Sequence, residues 1–234
     1  MPRHGRNFCG RVRRSVRVTT AHGSPSRTLP TVREQAERLI SLGIPGLAGV
    51  PAEVFRAAAR TAPDTPGLLV VHPDLVRVSA LAPLLRRAGR PGFVVADMTD
   101  VDDFGTIDAI DVPPSPVYLV LDLDRGDAMA DWSPAEALPA ILGSGRSPLT
   151  LSEGAFWLLQ QPEVLARGHC FMAIGSRRQR PDGKLDARTP AIWISNGTGR
   201  DGPSRREAPK VGWCWAGNRH TWLGFASART RHRT

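Results

Sequence analysis

The sequence has few of the residues that build disulfide frameworks and no segment that suits a membrane span. Its three cysteines, Cys9, Cys170 and Cys214, are too few for a disulfide framework, which indicates a reducing compartment. No apolar run reaches the roughly 20 residues that a transmembrane helix needs. Arg13 and Arg14 are not followed by the apolar stretch that an export signal requires. We therefore expect a cytoplasmic protein without a membrane partner.

Negative charge is scarce at both ends of the chain, which carries a formal net charge of +9. Residues 1–30 hold seven arginines and no acid, whereas residues 31–174 hold 11 arginines against 18 acids. Residues 175–234 hold 13 basic residues against four acids. A basic surface attracts nucleic acid, phosphorylated ligands or acidic partners, so an anionic partner is one interpretation. The other is that the acidic middle packs against the basic end and the tail is solvated.

Composition divides the 234 residues into four regions. Residues 1–28 are rich in arginine and lack an apolar period, which predicts a disordered basic tail. Residues 29–167 contain helix and strand patterns, residues 168–228 contain strand patterns alone, and residues 229–234 are expected to form a second basic tail. The prediction is one α+β domain, with N-terminal helices and short strands closed by a C-terminal antiparallel β-sheet of about four strands.

Capping boxes predict three helix starts, because each places a Glu three residues after a Ser or Thr. The pairs are Thr31 with Glu34, Ser133 with Glu136, and Thr150 with Glu153. Pro51 opens a further helix, and one more is expected near residues 79–88.

Short apolar runs predict the strands. Three runs lie before the C-terminal region, at residues 68–71, 93–96 and 117–121. Four more follow without an intervening helix, at residues 170–174, 191–195, 211–215 and 221–226. Because successive strands usually neighbour each other, the last four predict an antiparallel meander.

Residues 211–225 carry three of the six tryptophans and predict a β-hairpin with residues 217–218 as its turn. Side chains alternate along a strand, so this register gathers four rings on one face. It places Trp213 opposite Trp222 and Trp215 opposite His220. A four-residue loop would keep the three tryptophans together, whereas a three-residue loop would move Trp222 to the other face.

The aromatic face predicts a binding site at one end of the C-terminal sheet, where the meander also gathers basic loop residues. Such rings stack a base, a sugar or a cationic head group, but tryptophan clusters more often pack as core. A position at the rim, half core and half pocket, is therefore the interpretation adopted. We therefore predict a ligand- or partner-binding module for an unknown small molecule or anionic partner, with no cofactor and no metal. The predicted site residues are Trp213, Trp215, Trp222 and His220 as a platform, Arg177 and Arg219 as anion contacts, and Asn218 as an exposed amide.

Two alternative functions stay open. Asp122 and Asp124 follow an apolar strand, and this segment resembles the start of haloacid-dehalogenase-type phosphatases, although Gly126 stands where Thr or Val is usual. That resemblance implies a small hydrolase or transferase with the two carboxylates as its reactive groups. The other alternative is non-specific nucleic-acid binding through the arginines of residues 1–28.

Cysteine chemistry is less favoured by the spacing. His169, Cys170, Cys214 and His220 lack the paired spacing that structural zinc sites use. The predicted hairpin register also puts Cys214 and His220 on opposite faces, which argues against a Cys–His nucleophile.

Four segments carry a resemblance to a known family: residues 147–154, 175–177, 190–195 and, above all, the C-terminal block PKVGWCWAGNRHTWLGFAS. Across residues 31–228 the chain resembles an actinobacterial family of uncharacterised proteins that share a domain of unknown function. The resemblance implies no activity.

Overall fold

The computed structural model describes residues 28–234, so the predicted tail of residues 1–28 lies outside the described part except for Thr28. Both helices and sheets are present, in agreement with the predicted α+β class. The α-helices of the described part are α1 (Val32–Ser41), α2 (Ile44–Ala48), α3 (Ala52–Thr61), α4 (Val78–Leu81), α5 (Pro134–Gly143) and α6 (Leu151–Gln160).

Within residues 28–234 the strands form two larger sheets and three two-stranded pairs. The strands before α6 are β1 (Gly67–Val71), β2 (Arg86–Arg87), β3 (Arg90–Pro91), β4 (Phe93–Val94), β5 (Gly105–Thr106), β6 (Val117–Leu121) and β7 (Ser147–Pro148). Those after α6 are β8 (Cys170–Met172), β9 (Ser176–Arg177), β10 (Arg188–Ile194), β11 (Pro209–Trp215), β12 (Leu223–Phe225), β13 (Ser227–Ala228) and β14 (Thr230–Arg233).

The predicted helix starts are confirmed at all three capping boxes. In each box the Ser or Thr hydroxyl accepts a hydrogen bond from the Glu backbone N–H, and the Glu carboxylate accepts one from the Ser or Thr backbone N–H. The helix expected over residues 79–88 is wrong beyond Leu81, where a 3₁₀ turn leads into the β2–β3 hairpin. Ala88 and Gly89 both adopt positive φ there, as a two-residue type I′ hairpin turn requires.

The C-terminal residues are part of a sheet, and the prediction of a basic tail at residues 229–234 is wrong. Strand β14 pairs antiparallel with β6, which also pairs antiparallel with β1. Arg231 anchors β14, because its side chain is buried and forms an ion pair with the fully buried Glu153 of α6. The sequence lacks the alternation of apolar and polar residues that would predict this strand, since its buried position is an arginine.

The β1 edge of this three-stranded sheet is covered by a side chain of α1. The Gln35 amide nitrogen donates to the Gly67 carbonyl over 2.8 Å, and its oxygen accepts from the Leu69 N–H over 2.9 Å. The amide therefore takes the place of a neighbouring strand.

The larger sheet is mixed, with strand order β12-β8-β10-β11-β4. Strands β8, β10 and β11 are antiparallel neighbours, as the meander predicts. The last strand, β12, instead lies at the far edge and runs parallel to β8, and β4 joins the other edge parallel to β11. The predicted arrangement of four antiparallel strands is therefore wrong at its last member.

The predicted hairpin between β11 and β12 is wrong for the same reason. A turn does form after β11, where the Asn218 N–H donates to the Trp215 carbonyl over 3.0 Å. The chain then crosses from β11 to the opposite edge of the sheet, since β11 and β12 run in the same direction and parallel strands need a crossover. At that edge Gly224 lies against backbone atoms of Arg125 and Gly126, an approach that a Cβ atom would prevent.

Helix α6 lies between the two sheets, and all ten of its residues are buried. An added Cβ at Gly154 would lie 3.0 Å from the Phe171 ring and 3.4 Å from the Ile192 side chain. This contact defines one side of the five-stranded sheet as its α6 face. The opposite side, called here the Trp193 face, carries the alternate residues of β10 and β11.

Candidate functional site

The tryptophans of the predicted platform are divided between the two faces of the sheet. Trp213 and Trp215 lie opposite Pro190 and Arg188 of β10, which alternate onto the same face as Ile192. Both tryptophans therefore lie on the α6 face. Trp193 lies over Gly212 on the other face, where a Cβ at Gly212 would come within 2.4 Å of its ring. Trp222 packs edge-on against Trp193, with ring centroids 6.3 Å apart. The expectation that Trp213, Trp215, Trp222 and His220 share one face is therefore wrong.

The α6-face group is organised around Arg188. Its guanidinium lies 5.3 Å from the Phe104 ring centroid and 5.9 Å from that of Trp213. The same guanidinium donates to the carboxylates of Asp100 and Asp186, with the shortest contact to each at 2.7 Å. The hydrogen bond from Arg188 holds the pKa of Asp186 at about 2. Arg188 is thus fully engaged within the protein.

Three polar residues of the predicted site lie at two places, with Asn218 and Arg219 consecutive after β11 and Arg177 on β9. Arg219 is exposed, forms an ion pair with Glu136 and donates to the Asp131 carbonyl over 2.9 Å. Arg177 is half-buried, and burial lowers its pKa. It donates to the Asp186 carbonyl over 2.6 Å. Asn218 is exposed in the turn after β11. Both arginines therefore already bind acceptors of the protein itself.

The Trp193 face brings rings and cations together in a continuous row across the sheet. Each member contacts the next or lies opposite it in the strand register. Arg205 lies 4.3 Å from the Phe93 ring centroid, Phe93 is the β4 partner of Lys210, and the Lys210 ammonium lies 5.2 Å from the Trp193 ring centroid. The row continues from Trp193 to Trp222 and then to His220, whose ring centroid is 5.4 Å from that of Trp222. We call these six residues, Arg205, Phe93, Lys210, Trp193, Trp222 and His220, the aromatic–cationic row.

Solvent reaches every member of this row. Arg205 is exposed and the other five are partly exposed. Gly212, in the middle of the face, allows the Trp193 ring to approach the sheet closely, because any side chain there would collide with it. The position of β4 as a parallel partner of β11 adds Phe93 to the same face as Lys210.

The charges of the row differ in how they are neutralised. Lys210 forms an ion pair with Asp201 over 2.8 Å. Burial opposes ionisation of Asp201, but hydrogen bonds from Lys210 and Ser195 outweigh it and keep its pKa below the usual value. Arg205 forms no ion pair within the described residues. Burial lowers the pKa of His220, which favours the neutral imidazole at pH 7.

Two members of the row, Trp222 and His220, belong to the predicted site, whereas Trp193, Lys210, Arg205 and Phe93 were missed. The signal for Trp193 was present, since it lies in the predicted strand of residues 191–195, whereas Lys210 directly precedes the predicted strand of residues 211–215. The register between β10 and β11 was the missing information. A 14-residue loop joins these strands, and such a loop does not fix the register as a short turn does.

The carboxylates of the alternative enzyme site have different partners. Asp122 accepts from Arg146 over 2.9 Å and lies 3.6 Å from Arg229. Asp124 accepts from the Gly126 N–H over 2.8 Å, within its own turn. Across residues 28–234 no group of three or more His, Cys, Asp or Glu side chains is placed to hold a metal ion. The hydrolase or transferase stays a prediction from the sequence.

The thiols have the properties of packed side chains. Burial raises the pKa of Cys170 and raises that of Cys214 to about 11. Both are free thiols, and both are protonated at neutral pH. The register places Cys214 on the Trp193 face, the same face as Trp222. This corrects the prediction that Cys214 and Trp222 point to opposite faces.

A cavity of about 1110 Å³ opens elsewhere, beside the C-terminal end of α6. Three arginines line it, and each is paired with an acid: Arg87 and Arg167 with Glu207, and Arg125 with Asp127. Arg87 and Arg125 also donate to the carbonyls of residues 165 and 164. The arginines of this cavity are therefore compensated, and the aromatic–cationic row is the stronger candidate surface.

Comparison with known proteins gives a family and no activity. Residues 38–234 match the family model of a family of unknown function (DUF5701). No curated protein and no solved structure matches the chain. Among the described residues, no helix is long and apolar enough to cross a membrane.

Proposed function

The chain belongs to the DUF5701 family, and because that family has no known function, we propose from its geometry that it is a binding module. Its binding surface in this proposal is the aromatic–cationic row. The ligand carries a planar ring together with a negative charge.

The observation that supports this function is the continuity of the row on an accessible sheet face. Exposed aromatic side chains are common singly, but contiguous exposed rings mark sites of interaction. Trp193, Trp222 and Phe93 are all partly exposed on one face, and two cations lie between or beside them.

Each kind of group in the row recognises a different part of the ligand. An indole face stacks a planar ring, which contributes about 1–3 kcal/mol for a nucleobase. Arg205 attracts the negative group, since it is exposed and forms no ion pair within the described residues, whereas Lys210 is already paired with Asp201. This attraction weakens with salt because Arg205 lies at the surface. We expect a single ring with one phosphate to bind weakly, with a Kd on the order of millimolar.

The test is a titration of intrinsic tryptophan fluorescence with three probes: uridine monophosphate, uridine and inorganic phosphate. The monophosphate should bind more tightly than either part alone. Trp193→Ala should weaken its binding, whereas Trp215→Ala provides the matched control, because Trp215 is 49% exposed on the opposite face. Equal responses of the two variants, or no response of the wild type up to the solubility limit, would reject the function.

The proposal includes a cytoplasmic location, with which the free thiols of Cys170 and Cys214 are compatible. It also includes the actinobacterial origin that the C-terminal block suggests. Nucleic-acid binding through residues 1–28 stays a prediction, since that segment lies outside the described residues.

A further inference from the structure

We infer that the ligand of the aromatic–cationic row is an extended single-stranded nucleic acid, with successive bases stacked on successive rings. This inference rests on the proposed function and specifies the substrate class of the same surface. It follows from the number, spacing and charge of the groups in the row.

The number of rings exceeds what one small ligand uses. Phe93 lies on edge strand β4, Trp193 lies two strands away on β10, and Trp222 precedes the opposite edge strand β12. Neighbouring strands are about 4.8 Å apart, so Phe93 and Trp193 are separated by about 10 Å across the sheet. A mononucleotide at the Trp193–Trp222 pair, whose ring centroids are 6.3 Å apart, does not reach Phe93, whereas a chain of three nucleotides spans the row.

Positive charge lies beside the rings at the β4 end of the row. Arg205 lies over Phe93 and, within the described residues, forms no ion pair. Lys210 lies between Phe93 and Trp193 and is paired with Asp201. A nucleic-acid strand carries a phosphate beside each base, so a base at this end of the row brings its phosphate to Arg205.

The arrangement favours a single strand over a duplex. Rings that lie on a sheet face stack only on bases that are free of their own neighbours, as in single-stranded loops and ends. A duplex offers its phosphates to the two cations but hides its bases. An acidic peptide offers charge without bases, and it therefore leaves the three rings unused.

The experiment uses the full-length chain and oligouridylates of one, three and six nucleotides, with tryptophan fluorescence as the readout. Each further stacked base should tighten binding by about 5- to 150-fold, so the trinucleotide should bind far more tightly than uridine monophosphate. Trp193→Ala should weaken hexanucleotide binding by about 5- to 150-fold, and Trp215→Ala by less than about twofold. The N-terminal arginines are the same in both variants, so they do not affect this comparison.

Arg205→Ala gives a second test that does not depend on a buried residue, because Arg205 is exposed. For a single strand each phosphate contact contributes about −0.7 to the slope of log K against log salt concentration. The variant should therefore reduce the magnitude of the slope by about 0.7. Arg200→Ala is the matched control, since Arg200 is exposed in the same loop and contacts no ring of the row.

The failure of this inference differs from the failure of the proposed function. Mononucleotide binding that depends on Trp193, without tighter binding of the longer oligomers, would overturn the inference and leave the function standing. Equal hexanucleotide affinity of Trp193→Ala and Trp215→Ala would overturn the inference and place the binding elsewhere on the chain. A duplex or hexaglutamate that binds as tightly as the hexanucleotide, with the same dependence on Trp193, would also overturn it. If no probe binds at all, both proposals fail.

Discussion

Replacing Arg231 with Met should cost the protein about 3–5 kcal/mol of unfolding free energy. The Arg231 guanidinium makes two contacts of 2.7 Å with the Glu153 carboxylate, and it also donates to Ser147 and to the Pro148 carbonyl. Glu153 is fully buried, so the variant leaves a carboxylate without its counter-charge in the interior. Tyr118 still donates to that carboxylate over 2.9 Å, which keeps the cost from being larger.

The assay is urea unfolding followed by tryptophan fluorescence, with the midpoint multiplied by the slope of the transition. Arg233→Met is the matched control, because Arg233 is exposed two positions along the same strand. Its effect should stay within about 0.5 kcal/mol. A Glu153→Gln, Arg231→Met double variant should be less destabilised than the sum of the single variants, since no lone charge is left buried. Equal stabilities of Arg231→Met and Arg233→Met would refute the anchoring of β14 and restore the interpretation of residues 229–234 as a tail.

Three further outcomes follow from other contacts. Because the folded-state pKa of Asp186 is depressed to about 2, its contribution to stability is present above the ordinary pKa of 3.8 and is lost as the pH falls towards 2. Between pH 5 and pH 2, the unfolding free energy from urea titrations should therefore fall by about 2 kcal/mol less in Asp186→Asn than in the wild type. Gln35→Ala should cost about 1–3 kcal/mol and speed amide exchange at Leu69, whose N–H loses its acceptor; unchanged exchange there would argue against the capped edge. Gly212→Ala should displace the Trp193 ring, because the new Cβ would lie 2.4 Å from it, and weaken uridine monophosphate binding; full affinity would show that the ring does not form the platform.

Local signals predicted the starts of the three helices that carry capping boxes, because a capping box is complete within four residues. Thr150 and Glu153 form the expected box, and α6 ends at Gln160, before Pro162. The same is true of β6, whose bounds match the apolar run of residues 117–121. Such features depend on neighbours in the sequence and need no tertiary information.

Strand pairing depended on distant contacts that no local pattern shows. The turn signal at residues 217–218 is real, but it does not join its flanking strands, because β12 packs beside β8 and needs the close approach of Gly224 to the Arg125–Gly126 backbone. The predicted four-ring face was wrong as a consequence, since a change of strand partner moves side chains to a different face. Trp193 was missed because its register partner, Lys210, lies beyond a long loop.

The most direct test of the proposed binding surface is an NMR titration that follows the six tryptophan indole N–H signals as uridine hexanucleotide is added. The signals of Trp193 and Trp222 should shift or broaden, because these rings receive the bases. Those of Trp213 and Trp215, on the opposite face, should stay in place. Movement of the Trp215 signal with a constant Trp193 signal would contradict the assignment of the Trp193 face as the binding surface.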